Sequence, residues 1–185
     1  MTSPKNLHQL NVPVGERDHC WGCHTPQLIL VKYGDYQCPY SRESHYIFRE
    51  LQSVLGEKLQ VVFRHFPQLR IHPRAGHAAE AAEAAGSQGK FWEMHNYLFE
   101  HQSQLADSDL VEYAIALNLD VDRFLQEMTA DSHVERINAD LESGRASHVT
   151  QTPTVFINGI KYVGKLGCNE LFSTIESTIE KIDHE

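Results

Sequence analysis

Two continuous apolar runs near the start of the chain predict buried β-strands. LILVKY (28–33) and LQVVFRHF (59–66) are rich in β-branched and aromatic residues, a pattern typical of strands covered on both faces. Between them, apolar residues follow helical spacing from Tyr40 to Leu55 and stop at Gly56, which favours a helix with a glycine C-terminus. The order strand, helix, strand predicts parallel strands joined by a right-handed crossover.

The rest of the chain predicts a helical segment followed by a hairpin and a last helix. Residues 73–147 form a series of alanine-rich or amphipathic stretches, several of them beginning at Asp or Ser, which are common helix N-caps. TVFING and IKYVG alternate around Asn158-Gly159, a strong signal for a two-residue hairpin turn. NELFSTIESTIEKI at 169–182 is amphipathic. The predicted fold class is therefore α/β, with a helical insertion between a βαβ half and a ββα half.

These patterns also predict where the domains begin and end. Residues 1–27 are polar and rich in Pro and Gly, and are expected to form an irregular N-terminal arm with a short strand near Val12–Val14. The α/β domain is assigned to 28–72 and 148–185. The helical insertion is assigned to 73–147.

Composition and charge exclude some classes of binding partner. The 185 residues carry a formal net charge of -9, which argues against electrostatic binding of nucleic acid or anionic membranes. No apolar run reaches the roughly 20 residues needed to cross a bilayer, and residues 1–19 contain no apolar core of a signal peptide. A cytoplasmic location is expected, or a periplasmic one if a leader has been removed.

One cysteine lies where a thiol would be reactive. Four cysteines in a chain of this length do not form a disulfide scaffold and suggest structural thiols, metal ligands or catalysts. Cys38 follows a predicted buried strand and precedes a predicted helix, so unpaired backbone N–H groups and the helix dipole favour its thiolate, the nucleophilic form. Pro39 suits the first helical turn. The alternative is an inert cysteine that only packs.

Four segments together resemble the DsbA-like branch of the thioredoxin superfamily: VKYGDYQCPYS, VVFRHFP, HPRAGHAAEAAEAAGSQGKFWEMH and TPTVFINGIKYVG. The resemblance covers about 28–164 and implies a thioredoxin fold with an inserted helical domain. It also implies that Thr152-Pro153 is a cis peptide facing Cys38, and that the Thr152 backbone pairs with an extended substrate. The residues alone are compatible with a cis-proline before a buried strand, but by themselves they favour an ordinary trans turn.

The sequence departs from the family at two positions. Ser41 stands where a typical member has its resolving cysteine, and Lys32 stands where the family commonly has a carboxylate that accepts a proton from that second thiol. The two changes are consistent with each other, which favours natural divergence over a laboratory trapping mutant. Lys32 either places a positive charge beneath the thiolate or extends to the edge of the sheet. Tyr40 flanks the thiol and either contacts substrate or is simply an exposed helix position.

The remaining cysteines permit further interpretations. His19, Cys20, Cys23 and His24 have the spacing of a haem attachment motif and of half a zinc site. Four ligands within six residues would be cramped for a tetrahedral metal, so no metal is predicted and a thiol pair in a surface arm is preferred, far from Cys38. Cys168 opens the last helix near the active-site edge, either as a remote resolving thiol or as a packed cysteine.

Three functions are compatible with this site. The first is a monothiol thiol–disulfide oxidoreductase, in which Cys38 forms a mixed disulfide with a protein or glutathione disulfide and an external thiol resolves it. The second is a peptide- or glutathione-binding, redox-sensing protein. The third is a glutathione-transferase-like enzyme. No bound cofactor is expected, and glutathione is a candidate co-substrate.

Overall fold

The secondary structure follows the predicted order with one addition at the start. A computed structural model describes residues 8–183, apart from the side chains of residues 168, 169 and 183. The strands are β1 His19–Gly22, β2 Leu28–Gly34, β3 Leu59–His65, β4 Thr154–Ile157 and β5 Ile160–Lys161. The helices are α1 Pro39–Leu55, α2 Ala75–Gly86, α3 Phe91–Glu100, α4 Asp107–Ala116, α5 Val121–Thr129, α6 Val134–Ala146 and α7 Cys168–Asp183.

The strands form one mixed sheet in the order β1-β3-β2-β4-β5. Strands β2 and β3 are parallel over their whole length, with Leu28 opposite Leu59, as the predicted βαβ unit requires. Strand β4 runs antiparallel to β2, and β5 pairs with β4 across the predicted Asn158-Gly159 turn. Both turn residues have positive φ, 46° and 81°, which is the conformation that an Asn-Gly hairpin turn adopts. The hairpin prediction is confirmed.

The two faces of the sheet are covered by different helices. Because successive strand residues point to opposite faces, Leu28 and Leu30 pack with α1 and α7, whereas Val31 and Tyr33 pack on the other face. Lys32 follows the register of Leu30 and therefore faces the α1 side. This register decides the surroundings of Lys32, described below.

The helical insertion has a core of its own that reaches the active-site loop. Helix α2 buries a run of alanines, and small side chains allow the neighbouring helices to approach closely. The same cluster includes Phe63 from β3 and Tyr36 from the loop before α1. The insertion is thereby packed directly against the segment that carries Cys38. Within residues 8–183, no helix has both the length and the apolar character needed to cross a membrane.

The predicted strand at Val12–Val14 is wrong, and β1 lies instead at His19–Gly22, antiparallel to β3. The backbone at 12 and 13 is used differently, because its carbonyls accept hydrogen bonds from the buried guanidinium of Arg64, at 2.9 and 3.0 Å. Arg64 also forms a bidentate ion pair with Asp18, with N···O distances of 2.7 and 2.9 Å. A buried arginine needs acceptors for all of its donors. The N-terminal segment supplies most of them as a loop, and the Tyr33 hydroxyl supplies another at 2.9 Å.

Candidate active site

Cys38 occupies the N-cap of α1, as the sequence predicted. Its backbone is extended (φ -77°, ψ 121°) and Pro39 begins the helix. Its N–H donates to the Asp35 carbonyl at 3.1 Å, and its own carbonyl accepts from Arg42 N–H at 3.1 Å. The side chain is only 3% exposed. The nucleophile is therefore held at the positive end of a 17-residue helix, in a site from which solvent is nearly excluded.

The thiol faces the predicted cis-proline. The Thr152-Pro153 peptide is cis, as the resemblance implies, and the Cys38 thiol donates to the Thr152 carbonyl oxygen at 3.2 Å. A carbonyl oxygen accepts a hydrogen bond from a thiol but has no proton to donate to a thiolate. The contact between Cys38 and Thr152 is therefore one that the thiol form makes.

Ser41 is buried but is bound to the loop and not to the thiol. Its hydroxyl oxygen accepts from the Asp35 N–H at 3.3 Å, and its carbonyl accepts from Ser44 Oγ and Lys32 Nζ, both at 2.9 Å. The side chain is fully buried. Among the described contacts, the Ser41 hydroxyl bonds to the loop backbone and not to the Cys38 sulfur.

Lys32 is buried beneath this turn, so the hypothesis that it extends to the sheet edge is wrong. It is 2% exposed, and its ammonium lies 4.6 Å from the ring centre of Phe99, 5.6 Å from Phe48 and 5.9 Å from Phe63. Burial lowers the pKa of Lys32 to about 7, while the charge of the Cys38 thiolate acts to raise it. The side chain therefore changes charge near neutral pH, next to the reactive sulfur.

Two residues that the sequence analysis missed hold the active-site loop. The buried Asp35 carboxylate accepts from the N–H groups of Gln37 and Gln68 and contacts His72 Nδ1, each at 2.8 Å. From the insertion, Gln102 Nε2 donates to the carbonyls of Tyr36 at 2.8 Å and Cys38 at 2.9 Å. An Asp just after a strand is a recognisable turn signal. Gln102 has no such signal, because its partners lie more than 60 residues earlier in the chain.

Gln102→Ala should loosen the Cys38 loop without unfolding the protein. It would remove one donor from each of the Tyr36 and Cys38 carbonyls, of which Cys38 keeps the bond from Arg42 N–H. The cost is about 1–3 kcal/mol, and the rate at which Cys38 reacts with iodoacetamide should change several-fold. Gln104→Ala, two residues further and exposed, is the matched control and should leave that rate unchanged. Equal rates in both variants would show that Gln102 does not position the loop.

A groove runs from the head of α1 past the cis-proline. Tyr40, which is 68% exposed, lies on one wall, residues 150–155 form its floor, and residues 161–167 form the other wall, enclosing about 770 Å³. The groove exposes the backbone around Thr152, where the resemblance places an extended substrate. Helix α7 begins at Cys168 behind the 161–167 wall, and the side chain of Cys168 lies outside the described residues, so its role as a resolving thiol stays a prediction.

The second cysteine motif runs from the middle of the sheet, where Cys20 lies opposite Val62, to the end remote from Cys38. Cys23 N–H donates to the Leu59 carbonyl at the start of β3, whereas Cys38 lies beyond the far end of β2, a strand of seven residues or about 20 Å. Cys20 and Cys23 are free thiols, and burial together with the charge of Asp18 raises the pKa of Cys20. The structure therefore separates the two cysteine sites, as the sequence predicted.

The histidines of that motif do not join its cysteines. His19 Nε2 contacts the Glu83 carboxylate at 2.8 Å and its ring stacks on Phe91 at 3.4 Å, while His24 is exposed. Among the described residues, no group of three or more His, Cys, Asp or Glu side chains could hold a metal ion.

Comparison with known proteins places the chain in a family. Residues 16–177 match the family model described as "Thioredoxin". The fold is similar to that of oxidised BdbD from Bacillus subtilis (TM-score 0.82, 19% identity, 95% of this chain and 100% of that one). It is also similar to the thiol-disulfide exchange protein alpha-DsbA2 from Wolbachia pipientis (TM-score 0.76, 22% identity, 88% and 87%). The predicted fold, a thioredoxin fold with a helical insertion, is confirmed.

The curated relatives are longer proteins. The chain is 39% identical over 176 residues to the Na⁺/H⁺ antiporter NhaA 1 of Mycolicibacterium vanbaalenii, covering 94% of this chain and 28% of the antiporter. It spans about a quarter of the length of the curated relatives it matches. With its family model, its cysteine at the head of α1 and its cis-proline, this chain belongs to the thioredoxin family and has the DsbA-like fold of that family's thiol–disulfide oxidoreductases.

Proposed function

We propose that this protein is a monothiol thiol–disulfide oxidoreductase that acts through Cys38. The observation that carries the proposal is the arrangement around the sulfur: a cysteine at the N-cap of α1, opposite the cis Thr152-Pro153 peptide, with a buried serine in place of a second thiol. Family membership supports thiol–disulfide exchange. The serine supports a cycle in which the second sulfur comes from outside the protein.

The cycle consists of two exchanges. The Cys38 thiolate attacks the glutathione sulfur of a glutathionylated substrate, a new S–S bond forms, and the substrate leaves as a thiolate that takes a proton from solvent. A second glutathione thiolate then attacks the glutathione sulfur of the mixed disulfide, releasing glutathione disulfide and the Cys38 thiolate. The net reaction consumes one free glutathione: the substrate's mixed disulfide is reduced to a thiol, and its glutathionyl group leaves joined to that glutathione as glutathione disulfide.

Ser41 cannot perform the second step itself. A hydroxyl is far less acidic than a thiol and does not displace a sulfur from a disulfide under these conditions. Its oxygen is also engaged with the Asp35 N–H. The mixed disulfide at Cys38 therefore persists until an external thiol enters the groove beside Thr152.

Glutathione-dependent turnover of a glutathionylated peptide tests the proposal, with coupled glutathione reductase reporting the product. Cys38→Ser should reduce the rate at least 100-fold, since the nucleophile is lost. Cys23→Ser is the matched control, because it removes a thiol at the opposite end of the sheet, and should keep the wild-type rate. Activity that survives in Cys38→Ser would contradict the proposal. Conjugation of an electrophile to glutathione, without disulfide turnover, would identify a glutathione-transferase-like enzyme instead.

A second candidate is a peptide-binding, redox-sensing module that serves a membrane transporter. Two observations favour it. The thiol is almost completely buried beside a groove of about 770 Å³. The relatives with about 40% identity are Na⁺/H⁺ antiporters, which this chain matches over one segment of their length. In that role Cys38 would form a stable mixed disulfide with a partner and would not turn over. A covalent complex that accumulates with wild type and is not released by glutathione would favour this candidate.

A further inference from the structure

A second, smaller cavity lies under the active-site turn, on the α1 side of the sheet, and is partly open to solvent. Its volume is about 20 Å³, enough for one guest slightly larger than a water molecule. It is separate from the groove beside the cis-proline. Its polar lining comes from Lys32, His45, His95 and Asn96, and the remaining walls are apolar: Trp21, Phe48, Val61, Phe63 and Trp92.

The cavity is lined by a buried cation that has no acidic partner. Lys32 Nζ donates to the Ser41 carbonyl, and otherwise its nearest described neighbours are the faces of aromatic rings. Within residues 8–183, the ion pairs involve other cations, and none includes Lys32. A buried ammonium without a counter-ion is costly, whatever hydrogen bonds it makes.

Two buried histidines supply further donors. His45 is 4% exposed, and its Nε2 has no hydrogen-bond partner among the described residues. His95 Nδ1 is bonded to the Tyr36 hydroxyl at 2.9 Å. When that nitrogen accepts, the His95 proton lies on Nε2. Burial and the charge of Lys32 lower the pKa of His45 to about 3, so its ring is neutral and one nitrogen carries a proton.

We propose that this cavity binds a small monovalent anion of about the size of chloride, as counter-ion of Lys32 and acceptor of the His45 Nε2–H. A single negative charge would balance the single ammonium, and the cavity is too small for sulfate or phosphate. The aromatic walls exclude the hydration shell, so only an anion that gives up its water readily is expected to enter. Partly exposed Trp21, Trp92 and Asn96 form the side from which it would arrive.

Binding of the anion should be coupled to pH through Lys32. The titratable groups that face Lys32 are Cys38 and His45 from α1 and His95 from α3; Arg49 acts on His45. The histidines are neutral above about pH 6 because burial lowers the pKa of each. Protonation of Lys32 is therefore the step that creates the site, and occupancy should rise as the pH falls through 7.

Thermal unfolding in sodium chloride or bromide, compared with sodium gluconate at equal ionic strength, tests the proposal. Because a ligand that binds only the folded state stabilises it, the melting temperature at about pH 6 should be about 3–6 °C higher in the halide. The difference should vanish at about pH 9, where Lys32 is neutral. Lys32→Met should show no halide effect at either pH. Lys58→Met, which removes an exposed lysine, should behave as wild type.

A crystal soaked in bromide gives the second measurement, since its anomalous signal locates the ion. A peak within hydrogen-bond distance of Lys32 Nζ is expected, and its loss in His45→Phe would assign the second contact. Equal melting temperatures in chloride and gluconate, with no bromide peak, would show that the cavity holds only water and would overturn the proposal. A halide effect that persists in Lys32→Met would place the binding elsewhere and would also overturn it.

Discussion

Ser41→Cys should give the protein a dithiol activity that the wild type lacks, and Lys32→Glu should multiply the gain. With a dithiol reductant, the single change is expected to raise the rate of insulin reduction about 10-fold. The position is fully buried in the first turn of α1, so the introduced thiol cannot readily lose its proton to solvent. Lys32 Nζ lies beneath this position and is bonded to the carbonyl of the same residue.

The charge of Lys32 explains why the gain in rate of the double variant should exceed the sum of the gains of the two single variants. A protonated lysine cannot accept the proton of the new thiol, whereas a buried carboxylate, with its pKa raised toward neutrality by burial, can. Positioned proton transfer contributes typically 10²–10⁴-fold, so a further 10-fold or more is expected. In Ser41→Cys alone the rate should also rise above about pH 7, because burial lowers the pKa of Lys32 to about 7 and the neutral amine is a base.

Ser44→Cys is the control for this pair of variants. Ser44 is equally buried on the same helix and bonds to the Ser41 carbonyl, but it is one turn further from Cys38, so no gain is expected. If neither Ser41→Cys nor the double variant reduces insulin faster than wild type, the missing sulfur is not what limits turnover. If wild type is already fast, loss of activity in Cys168→Ser would assign the resolving role to that thiol.

Lys32→Met should stabilise the protein by about 3–5 kcal/mol at or below about pH 7, in buffer free of halide. The pKa of Lys32 is about 7 in the folded chain against an ordinary value of 10.5, so between these values the unfolded state binds the extra proton. The free energy of unfolding of the wild type should therefore rise with pH from about 7 to 10.5, and stay level with respect to this group below 7. Methionine has no such proton and fits a site walled by aromatic rings.

Urea unfolding at about pH 6, 8 and 10 measures this difference. The excess free energy of unfolding of Lys32→Met over the wild type should decrease at each higher pH and be nearly gone at the highest. Lys58→Met should show no such trend, since that lysine is exposed. A Lys32→Met variant that is less stable than wild type at every pH would mean that the ammonium is paired and stabilising, and it would contradict the burial argument.

The sequence by itself determined most of the elements and the position of the nucleophile. The apolar runs at 28–33 and 59–66, the helical spacing after Pro39 and the Asn158-Gly159 turn are local patterns, and local patterns are set by residues a few positions apart. The placement of Cys38 at the head of α1 follows from the same patterns. The cis-proline was predicted from the family resemblance, because a Thr-Pro pair alone favours the trans isomer.

Only the tertiary structure decided how the site is held and charged. Strand β1 has four residues, too few for a periodic signal, and exists because β3 offers it an edge. The burial of Lys32 depends on rings from α1, β3 and α3, and Gln102 reaches the loop from the insertion. These contacts join residues far apart in the chain, and whether a lysine is solvated or enclosed is set by packing, which local spacing does not encode.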